Sequence, residues 1–531
     1  MSRQAPHQEQ PRWLEALVAA LSEALPRLHG CNPDPLVADL IEALVVALAE
    51  GQLEIAVPSA LHRGALARSP LTAEPDGPLV MVAGRLQWRR WHGQREGVLQ
   101  QLIERAQRPM VSVSEAAAAP LDGLDADQQR AVRAGLQRGL VLLEGGPGTG
   151  KTSTVARMLM ALVAQQPDSR IQLAAPTGKA AARLRAALAG TQLQLPCSTL
   201  HRLLDSRGDR FGRNRHHPLA LDLLVVDEVS MVDLPLMQAL LDALPPTCRL
   251  VLVGDAAQLP PVGPGSVLLD LQEPGRRQAL GSAAIELRTT YRNNGTIAAV
   301  AAALRDGDQP LEPLLSSMVD PNAADANLTW LQAPSHTLPP ALLARLRRHQ
   351  LDLEQRCSQG ARHDSATALS LLGALDRFLV ISPLRRGRWG VAAIHQALLG
   401  DAATRSPHHW PLGTPVLCRH NLPELGLANG DVGLVVESGG ERRLLFANPG
   451  SPEPLWIHPA QLGDAEPALA LTVHKAQGSE AAEVWVLMPA TGRPQQRLLY
   501  TALTRARQQA TLITPQITPL PSPLGAASLA G

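Results

Sequence analysis

The segment Gly145–Thr152 reads GGPGTGKT and matches the spacing G-x-x-x-x-G-K-[ST]. It follows the apolar run 140–144 and precedes 153–166, which has the composition of a helix, and the motif requires this strand–loop–helix context. Glycines let backbone N–H groups turn towards phosphate oxygens, and the helix N-terminus adds its positive end. The segment therefore predicts an ATP site, with Lys151 on the β- and γ-phosphates and Thr152 on Mg²⁺. The predicted nucleotide contacts here are Gly145, Gly146, Pro147, Gly148, Thr149, Gly150, Lys151, Thr152 and Ser153.

Polar residues that suit ATP hydrolysis follow two further apolar runs. Asp227 and Glu228 come directly after LLVV at 223–226. We expect Asp227 to hold Mg²⁺ and Glu228 to orient and deprotonate the attacking water. Gln258 ends the segment VGDAAQ, where its amide would hydrogen-bond the γ-phosphate or the water and so sense hydrolysis. An Asp-Glu pair or a single Gln usually lies exposed on the protein surface, and only the position after a buried run favours catalysis.

Two arginines are candidates for the cation that neutralises charge on the departing γ-phosphoryl group. Arg292 lies in RTTYRNN, and Arg505 lies in YTALTRAR near the C-terminus. We expect a second domain to carry Arg505 and to bring it to the nucleotide held by the first domain. In isolation TRAR would be a helix-surface segment, and Arg507 keeps that interpretation.

The order of apolar runs predicts an α/β fold with two parallel sheets. Short runs that stop at polar or Gly-rich motifs occupy 140–146, 171–179, 223–230 and 249–258. Runs of this kind indicate strands buried on both faces, as in a parallel sheet covered by helices. Ligands bind such sheets at the carboxyl ends of the strands, so the polar motifs should converge on one edge. A second set of runs lies at 377–387, 469–480, 483–489 and 510–514.

Other stretches complete the predicted domain organisation. Short strand-like runs separated by the turn signals NGD, GG and NPG predict a small all-β insertion at 413–465. The first 115 residues have helical spacing, and the Pro- and Ala-rich end is expected to be disordered. The predicted divisions are 1–115, a helical domain for partner docking; 116–290, the first α/β domain; 291–412 with 466–515, the second; 413–465, the insertion; and 516–531, the tail.

The composition excludes several classes of protein. A chain of 531 residues with 45% hydrophobic and 18% charged residues is expected to form several globular domains. No apolar run approaches the roughly 20 residues of a membrane span, and the N-terminus lacks a signal-peptide layout. Five scattered cysteines without a CxxC pair fit a reducing, cytoplasmic location without a membrane partner. The net charge of +1 gives no indication of a nucleic-acid partner.

A set of stretches between about 124 and 514 resembles superfamily 1 helicases, and more closely the RecD family, the alpha subunits of exodeoxyribonuclease V (RecBCD). The stretches are LDADQQRAV, LVLLEGGPGTGKTSTV, LAAPTGKAAARL, STLHRLL, LDLLVVDEVSMVDLPLM, VGDAAQLPPV, YRNN, NGDVG, LTVHKAQGSE and YTALTRAR, in the expected order. The resemblance implies two RecA-like P-loop domains, an SH3-like insertion in the second, and ATP-driven 5′→3′ DNA unwinding in double-strand-break repair and recombination. It also implies single-stranded and duplex-end DNA and RecB-like and RecC-like subunits as partners, with nuclease activity supplied by a partner.

The resemblance also implies roles for individual residues. Gln128 would hydrogen-bond the adenine, Tyr291 would stack on it, and Glu480 would approach the ribose. Donors without sequence preference suit the phosphates of single-stranded DNA. The residues that the resemblance places along the DNA path are Pro176, Thr177, Lys179, Thr199, His201, Thr472 and His474. As single residues, His201 and His474 fit a hydrogen-bonded core position as well.

Two basic stretches and the N-terminal region each allow more than one interpretation of their function. The loop 205–218, with four arginines and two histidines, lies where related helicases insert a strand-separating hairpin, and a solvated loop is an equal alternative. The same choice applies to RRGRW at 385–389. Stand-alone relatives carry extra N-terminal helix-hairpin-helix repeats for which this chain is too short, so a complex subunit is favoured. The alternatives are a stand-alone helicase and a nucleotide-gated regulatory DNA-binding subunit.

Overall fold

The chain divides into two compact units in the computed structural model. The first comprises Met1–Gly146, Gly150–Pro176 and Leu184–Arg288, and the second comprises Pro147–Thr149, Thr177–Arg183 and Thr289–Gly531. No helix in the described part of the chain is long and apolar enough to cross a membrane. Nearly all of the tail expected to be disordered, 517–531, lies outside the described residues. The described residues are 12–73, 76–110, 121–188, 190–191, 193–208, 210–291, 295–307, 311–319, 327–360, 364–448, 451, 453–489 and 496–516.

The first unit begins with helices and a small antiparallel sheet of order β1-β3-β2. Asp34 accepts a hydrogen bond from the Leu36 N–H and so caps the second helix, which starts at a proline. Leu40 and Leu44 of that helix pack with Leu79 and Leu86 of the sheet. The region predicted as helical therefore contains strands as well. Its elements are α1 (Arg12–Leu28), α2 (Pro35–Ala49), β1 (Glu54–Ala56), α3 (Ala60–Arg68), α4 (Pro70–Ala73), β2 (Leu79–Val82), β3 (Arg85–Trp88) and α5 (Arg89–Gln107).

A six-stranded sheet of order β11-β4-β10-β9-β5-β6 and the helices around it form the rest of the first unit, apart from residues 147–149 and 177–183, which belong to the second unit. Every pairing between these strands is parallel, and strands β4, β9 and β10 are buried along their whole length. The prediction of a parallel sheet from continuous apolar runs is therefore confirmed. Its elements are α6 (Ala126–Gln137), β4 (Leu140–Gly145), α7 (Lys151–Gln165), β5 (Ile171–Ala175), α8 (Gly178–Leu188), β6 (Cys197–Thr199), α9 (Leu200–Leu203), β7 (Ser206–Arg207), β8 (Arg210–Phe211), β9 (Leu223–Val226), α10 (Leu234–Ala243), β10 (Arg249–Gly254), α11 (Val267–Asp270), α12 (Pro274–Leu280) and β11 (Ala284–Leu287).

The second unit contains a parallel and an antiparallel sheet. The parallel sheet has the order β12-β21-β20-β13-β19, and the antiparallel sheet has the order β17-β16-β15-β14-β18. The antiparallel strands cover the region predicted as an all-β insertion and extend to Pro467. The elements are α13 (Thr296–Asp306), α14 (Leu311–Met318), β12 (Leu328–Ala333), α15 (Pro340–Gly360), α16 (Ser365–Leu375), β13 (Phe378–Ser382), α17 (Val391–Leu399), β14 (Pro415–Cys418), β15 (Val432–Ser438), β16 (Glu441–Phe446), β17 (Leu455–Ile457), β18 (Ala465–Pro467), β19 (Leu471–Thr472), β20 (Ala481–Leu487), α18 (Gln496–Leu503) and β21 (Ala506–Pro515).

Helix α5 packs against the parallel sheet of the first unit. Its Leu99 and Leu102 share one buried cluster with Leu224 of β9 and Leu250 of β10. The buried Arg105 guanidinium donates hydrogen bonds at 3.0–3.2 Å to the carbonyl oxygens of Leu244, Pro245 and Cys248, beyond the end of α10. The Leu244 carbonyl lies just beyond the helix end, where carbonyl oxygens have no intrahelical donor, and burial of the Arg105 guanidinium lowers its pKa.

We expect Arg105→Ala to lower the free energy of unfolding by about 3 kcal/mol, because buried carbonyl oxygens lose a charged donor. Arg90→Ala, on the exposed face of the same helix, serves as the matched control. The measurement is the apparent Tm of the full-length variants. Equal Tm values for the two variants would show that the Arg105 contacts do not stabilise the unit.

Candidate nucleotide-binding and hydrolysis site

The phosphate loop joins β4 to α7. Gly148 and Gly150 have φ values of +77° and +82°, in the left-handed region that glycine adopts without strain. Helix α7 begins at Lys151, whose ammonium group donates to the carbonyl oxygens of Gly145 at 2.6 Å and Gly146 at 2.9 Å. The positive helix end and the ammonium group are therefore held at the same loop, which is an arrangement suited to a phosphate anion.

The two predicted carboxylates lie directly after β9. The Asp227 N–H continues the parallel ladder by donating to the Ala174 carbonyl oxygen at 2.9 Å, and the Asp227 carboxylate accepts from the Glu228 N–H at 2.9 Å. Glu228 has a φ of +52°, a left-handed conformation that side-chain-bearing residues rarely adopt. Such strain is typical of functional sites, where the surrounding structure holds a residue in one orientation.

The Gln258 side chain is hydrogen-bonded to Asp255, which lies in the same segment VGDAAQ. Its amide Nε2 donates to the Asp255 carboxylate at 3.2 Å, and both side chains are buried. The amide oxygen Oε1 is buried and has no hydrogen-bond partner within the described residues. The aspartate thus turns the amide so that an acceptor is left for a donor such as water. Asp255 stands three residues before Gln258 and immediately after a buried strand, and this spacing was the signal for its role.

Sheet order brings these three segments to one edge. Strand β10 lies between β4 and β9, with Val253 opposite Leu143 and Leu252 opposite Val226. Neighbouring strands are about 4.8 Å apart, so the residues that follow them are close together at the carboxyl edge. The phosphate loop, the Asp227–Glu228 pair and the Asp255–Gln258 pair therefore form one candidate site.

The residues predicted to hold Mg²⁺, Thr152 and Asp227, fit that metal's chemistry. No group of three or more His, Cys, Asp or Glu side chains suited to a metal occurs in the described part of the chain. Mg²⁺ retains several waters and takes substrate phosphates as ligands, so one hydroxyl and one carboxylate suffice for a nucleotide-bound ion.

The residues predicted to contact the adenosine are placed as follows. Gln128 forms a capping box at the start of α6, where its amide oxygen accepts from the Asp125 N–H at 3.2 Å, so an adenine contact would use its Nε2 group. The Tyr291 N–H donates to the Gly148 carbonyl oxygen at 2.8 Å, and its ring is 55% exposed. An exposed ring next to the phosphate loop suits stacking on a base. Glu480 forms an ion pair with Arg183.

Arg505 is buried inside the second unit, at 2% exposure. Its Nε donates to the Thr501 carbonyl oxygen at 3.0 Å, Nη2 to the Thr504 hydroxyl at 3.3 Å, and Nη1 to the Ser479 carbonyl oxygen at 3.5 Å. The guanidinium thus lies beside the segment that carries Glu480, and its partners within the second unit are neutral. Arg507 is exposed, but it lies on strand β21 and not on a helix, so the prediction of a helix-surface position is wrong in its secondary structure. Arg292, the other candidate finger, lies outside the described residues.

The threonines predicted on the DNA path cap local turns. Thr177 accepts from the Ala180 N–H, Thr199 from the Arg202 N–H and Thr472 from the Lys475 N–H, at 3.2–3.4 Å. Each follows the carboxyl end of a parallel strand or ends one. Pro176 lies one residue beyond β5, and Lys179 forms a 3.7 Å ion pair with Asp376.

The two predicted histidines differ in their surroundings. His201 lies 6.4 Å from the Phe211 ring, centroid to centroid, and burial lowers its pKa, so the ring is neutral at pH 7. Such a histidine resembles the core alternative more than a phosphate contact. His474 is exposed.

The basic stretch 205–218 contains a short hairpin formed by β7 and β8, with Ser206 opposite Phe211. Arg207 pairs with Asp205 at 2.8 Å, and Arg215 pairs with Asp242 at 2.7 Å. A hairpin is the shape that the helicase resemblance implies at this place, although two of its arginines are neutralised by carboxylates.

Two parts of the chain match known ATPase and helicase domains. Residues 128–264 match the family described as an AAA domain, and residues 467–513 match the UvrD-like helicase C-terminal domain. Together with the two parallel sheets and the phosphate loop, these matches define an ATP-dependent helicase.

Relatives that are similar over most of this chain identify its family. The RecBCD enzyme subunit RecD of Mycolicibacterium smegmatis is 37% identical over 85% of this chain and 81% of its own length. The subunit of the same name from Mycobacterium tuberculosis is 38% identical over 73% of this chain and 68% of its own length. The chain belongs to the RecD family. The ATP-dependent RecD2 DNA helicase of Deinococcus radiodurans is 32% identical over 70% of this chain and 46% of its own length. The crystal structure of Bacteroides Pif1 bound to ssDNA has a TM-score of 0.41 and 18% identity, covering 73% of this chain and 92% of that one.

Glu228→Gln should reduce the rate of ATP hydrolysis at least about 100-fold while nucleotide affinity changes little, because the amide keeps the shape but not the basicity. Lys151→Gln is the comparison variant and should weaken nucleotide binding itself. Turnover of bound ATP and the Kd of a fluorescent ATP analogue measure the two effects. Wild-type turnover in Glu228→Gln would remove this residue from the proposed chemistry.

Arg505→Lys should leave the Kd for ATP within about threefold of wild type and slow hydrolysis at least about tenfold, because lysine keeps the charge but not the guanidinium geometry. Arg507→Lys, two residues away and exposed, is the matched control. Single-turnover hydrolysis separates the chemical step from release of product. Loss of ATP binding with normal turnover of the bound fraction would contradict the predicted role.

Proposed function

We propose that the protein is the ATP-driven 5′→3′ DNA helicase and translocase subunit of a RecBCD-type exodeoxyribonuclease V, acting in double-strand-break repair and recombination. The similarity to RecD of M. smegmatis over 85% of this chain and 81% of that protein carries the proposal. The convergence of Lys151, Asp227, Glu228 and Gln258 at one sheet edge supports ATP hydrolysis as its energy source.

In the proposed reaction, each polar residue has a separate task. The phosphate loop and Lys151 bind the β- and γ-phosphates of ATP, and Thr152 with Asp227 would hold Mg²⁺, which offsets phosphate charge. Glu228 orients and deprotonates the attacking water, while Gln258 accepts a hydrogen bond from that water or bonds the γ-phosphate. Arg505 and Arg292 neutralise the charge that develops as the γ-phosphoryl group departs.

Movement along DNA requires the two units to bind it with affinities that depend on the nucleotide. ATP and ADP differ by the γ-phosphate, which is the group that Gln258 and the arginines are proposed to sense. A ligand shifts a conformational equilibrium only by its differential affinity for the two states, so these residues would convert hydrolysis into alternate grip and release. The proposed DNA contacts include Thr199 in the first unit and Thr472 in the second.

Docking of a RecC-like subunit is proposed for the N-terminal region, through helix α1. Trp13, Leu17 and Leu28 are 60%, 42% and 74% exposed. At 100° per residue these three side chains fall within about 60° of one another around the helix axis. Large apolar side chains exposed on one helix face are typical of an interaction surface.

A stand-alone helicase is the second candidate. The observation that favours it is the similarity to the RecD2 helicase of D. radiodurans over 70% of this chain. Unwinding by the purified chain alone distinguishes the two candidates.

We expect the tagged full-length chain to co-purify with RecB-like and RecC-like chains from its own cells, and the double variant Trp13→Ser/Leu17→Ser to lose them. Because α5 shares a buried cluster with the ATPase sheet, residues 1–115 alone would expose that cluster, so the bait is the whole chain. Leu369→Ser, at an exposed leucine of the second unit, is the control.

The same preparations test the helicase activity and its polarity. The complex should unwind duplexes with a 5′ single-stranded tail through this subunit, and Lys151→Gln should abolish that activity. Unwinding by the isolated chain with no associated subunits would favour the stand-alone candidate. Absence of DNA-stimulated ATP hydrolysis in both preparations would refute the helicase assignment.

A further inference from the structure

A group of cations lies at the carboxyl edge of the second unit's parallel sheet. Strands β13 and β19 are parallel neighbours, with Ser382 opposite Thr472. Arg385 follows β13 by three residues, and Lys475 follows β19 by three residues. The two side chains therefore reach the same sheet edge, where α/β sheets bind their ligands.

The loop that carries Arg385 is held in a fixed shape. The Ser382 hydroxyl donates to the Trp389 carbonyl oxygen at 2.7 Å, and the buried Trp389 ring donates to the Thr337 carbonyl oxygen at 2.8 Å. A Cβ atom added at Gly390 would lie 2.6 Å from the Arg386 backbone, so the loop closes tightly on itself. The arginines of this loop are exposed at the top of an anchored turn.

The antiparallel sheet brings a third cation to the same place. Cys418 of β14 lies opposite Ala465 of β18, so the next pair along the chain is Arg419 and Asp464. Arg419 bonds the Asp464 carboxylate at 2.7 Å and reaches diagonally to Glu466 at 3.2 Å. Diagonal neighbours on one sheet face are within reach of a long side chain.

Glu466 is the point at which the three cations meet. Its carboxylate lies 2.7 Å from Arg385 Nη2, 2.6 Å from Lys475 Nζ and 3.2 Å from Arg419 Nε. Partial burial raises the pKa of Glu466, but the hydrogen bond from Lys475 and the three positive charges outweigh it and hold that pKa below its ordinary value. The carboxylate is therefore ionised at neutral pH.

Arg385, Arg419 and Lys475 carry three positive charges, whereas Glu466 and the Asp464 carboxylate beside Arg419 carry two negative charges, so the group keeps a net positive charge. The four side chains are only partly buried, at 23–62% exposure, so solvent screens their ion pairs and replacing the carboxylate by another anion changes the free energy little. A phosphodiester oxygen offers Arg385 and Lys475 an equivalent acceptor once Glu466 turns away, while Asp464 stays paired with Arg419. Thr472 and His474, both proposed on the DNA path, precede Lys475 in the same turn.

We propose that Arg385, Arg419 and Lys475 form a binding site for the phosphates of single-stranded DNA, and that Glu466 occupies this site as an internal competitor when DNA is not bound. The inference rests on the proposed helicase function. It adds a residue whose removal strengthens DNA binding, which a simple basic surface would not contain.

The test uses the full-length chain without nucleotide and a fluorescent oligothymidylate, with anisotropy measured over a series of NaCl concentrations. Glu466→Gln should tighten binding by about three- to tenfold at low salt, since a competing charge is removed. Arg385→Ala should weaken binding and reduce the slope of log K against log salt by about 1. Glu441→Gln, which makes the same charge change on β16 of the same sheet, is the matched control, and unchanged Tm values verify folding.

The measured affinities distinguish the competitor role of Glu466, the kind of ligand that the site binds and the proposed helicase function. A Glu466→Gln affinity equal to that of Glu441→Gln, or weaker than wild type, overturns the competitor role. If a fluorescent ATP analogue gains as much affinity as DNA, the site binds nucleotide and the proposal is wrong. If wild type binds no single-stranded DNA at all, the proposed helicase function fails instead.

Discussion

Parallel strands that neighbour one another deliver the residues that follow them to one edge of the sheet, and the candidate ATPase site depends on this constraint. Strands β4, β10 and β9 are adjacent although α7, β5, α8 and several other elements separate them along the chain. The backbone ladder therefore places Lys151 and Glu228 at the same edge of the sheet. A disruption of the register, rather than loss of any one contact, is what would dismantle the site.

At the same sheet edge, one residue is held in a strained backbone conformation. Glu228 is held at a φ of +52°, and the only other described non-glycine residues in that region, Ala83 and Asp205, lie in turns. A strained backbone of this kind costs on the order of 1–3 kcal/mol. Nearby, the Gln258 Oε1 atom is buried without a hydrogen-bond partner in the described residues. Strain and an unpaired acceptor at one place are consistent with groups oriented for a ligand rather than for stability.

Much of this arrangement could be predicted from sequence, because most strands of both parallel sheets are continuous apolar runs that end in polar motifs. Glycine spacing identified the phosphate loop, and the residues after the strands identified Asp227, Glu228 and Gln258. Strand β12 (Leu328–Ala333) was not predicted, because only its first and last residues are buried and no motif follows it. The packing of α5 on the ATPase sheet could not be predicted either, since an amphipathic helix does not specify which apolar surface it covers.

In the second unit, the internal hydrogen-bond partners of an arginine determine how much of its positive charge stays available to a ligand. The carbonyl and hydroxyl groups around Arg505 orient the guanidinium and add no negative charge, which is the arrangement that the proposed role beside a departing phosphoryl group would use. The carboxylate of Glu466 instead cancels charge on Arg385, Arg419 and Lys475 and must be displaced before another anion binds. Neutral acceptors therefore preorganise a cation for tight electrostatic use, whereas a carboxylate makes binding weaker and more readily reversed. Under the proposed helicase function, reversible binding would suit movement along a strand, and this would account for the different partners of the two cationic groups.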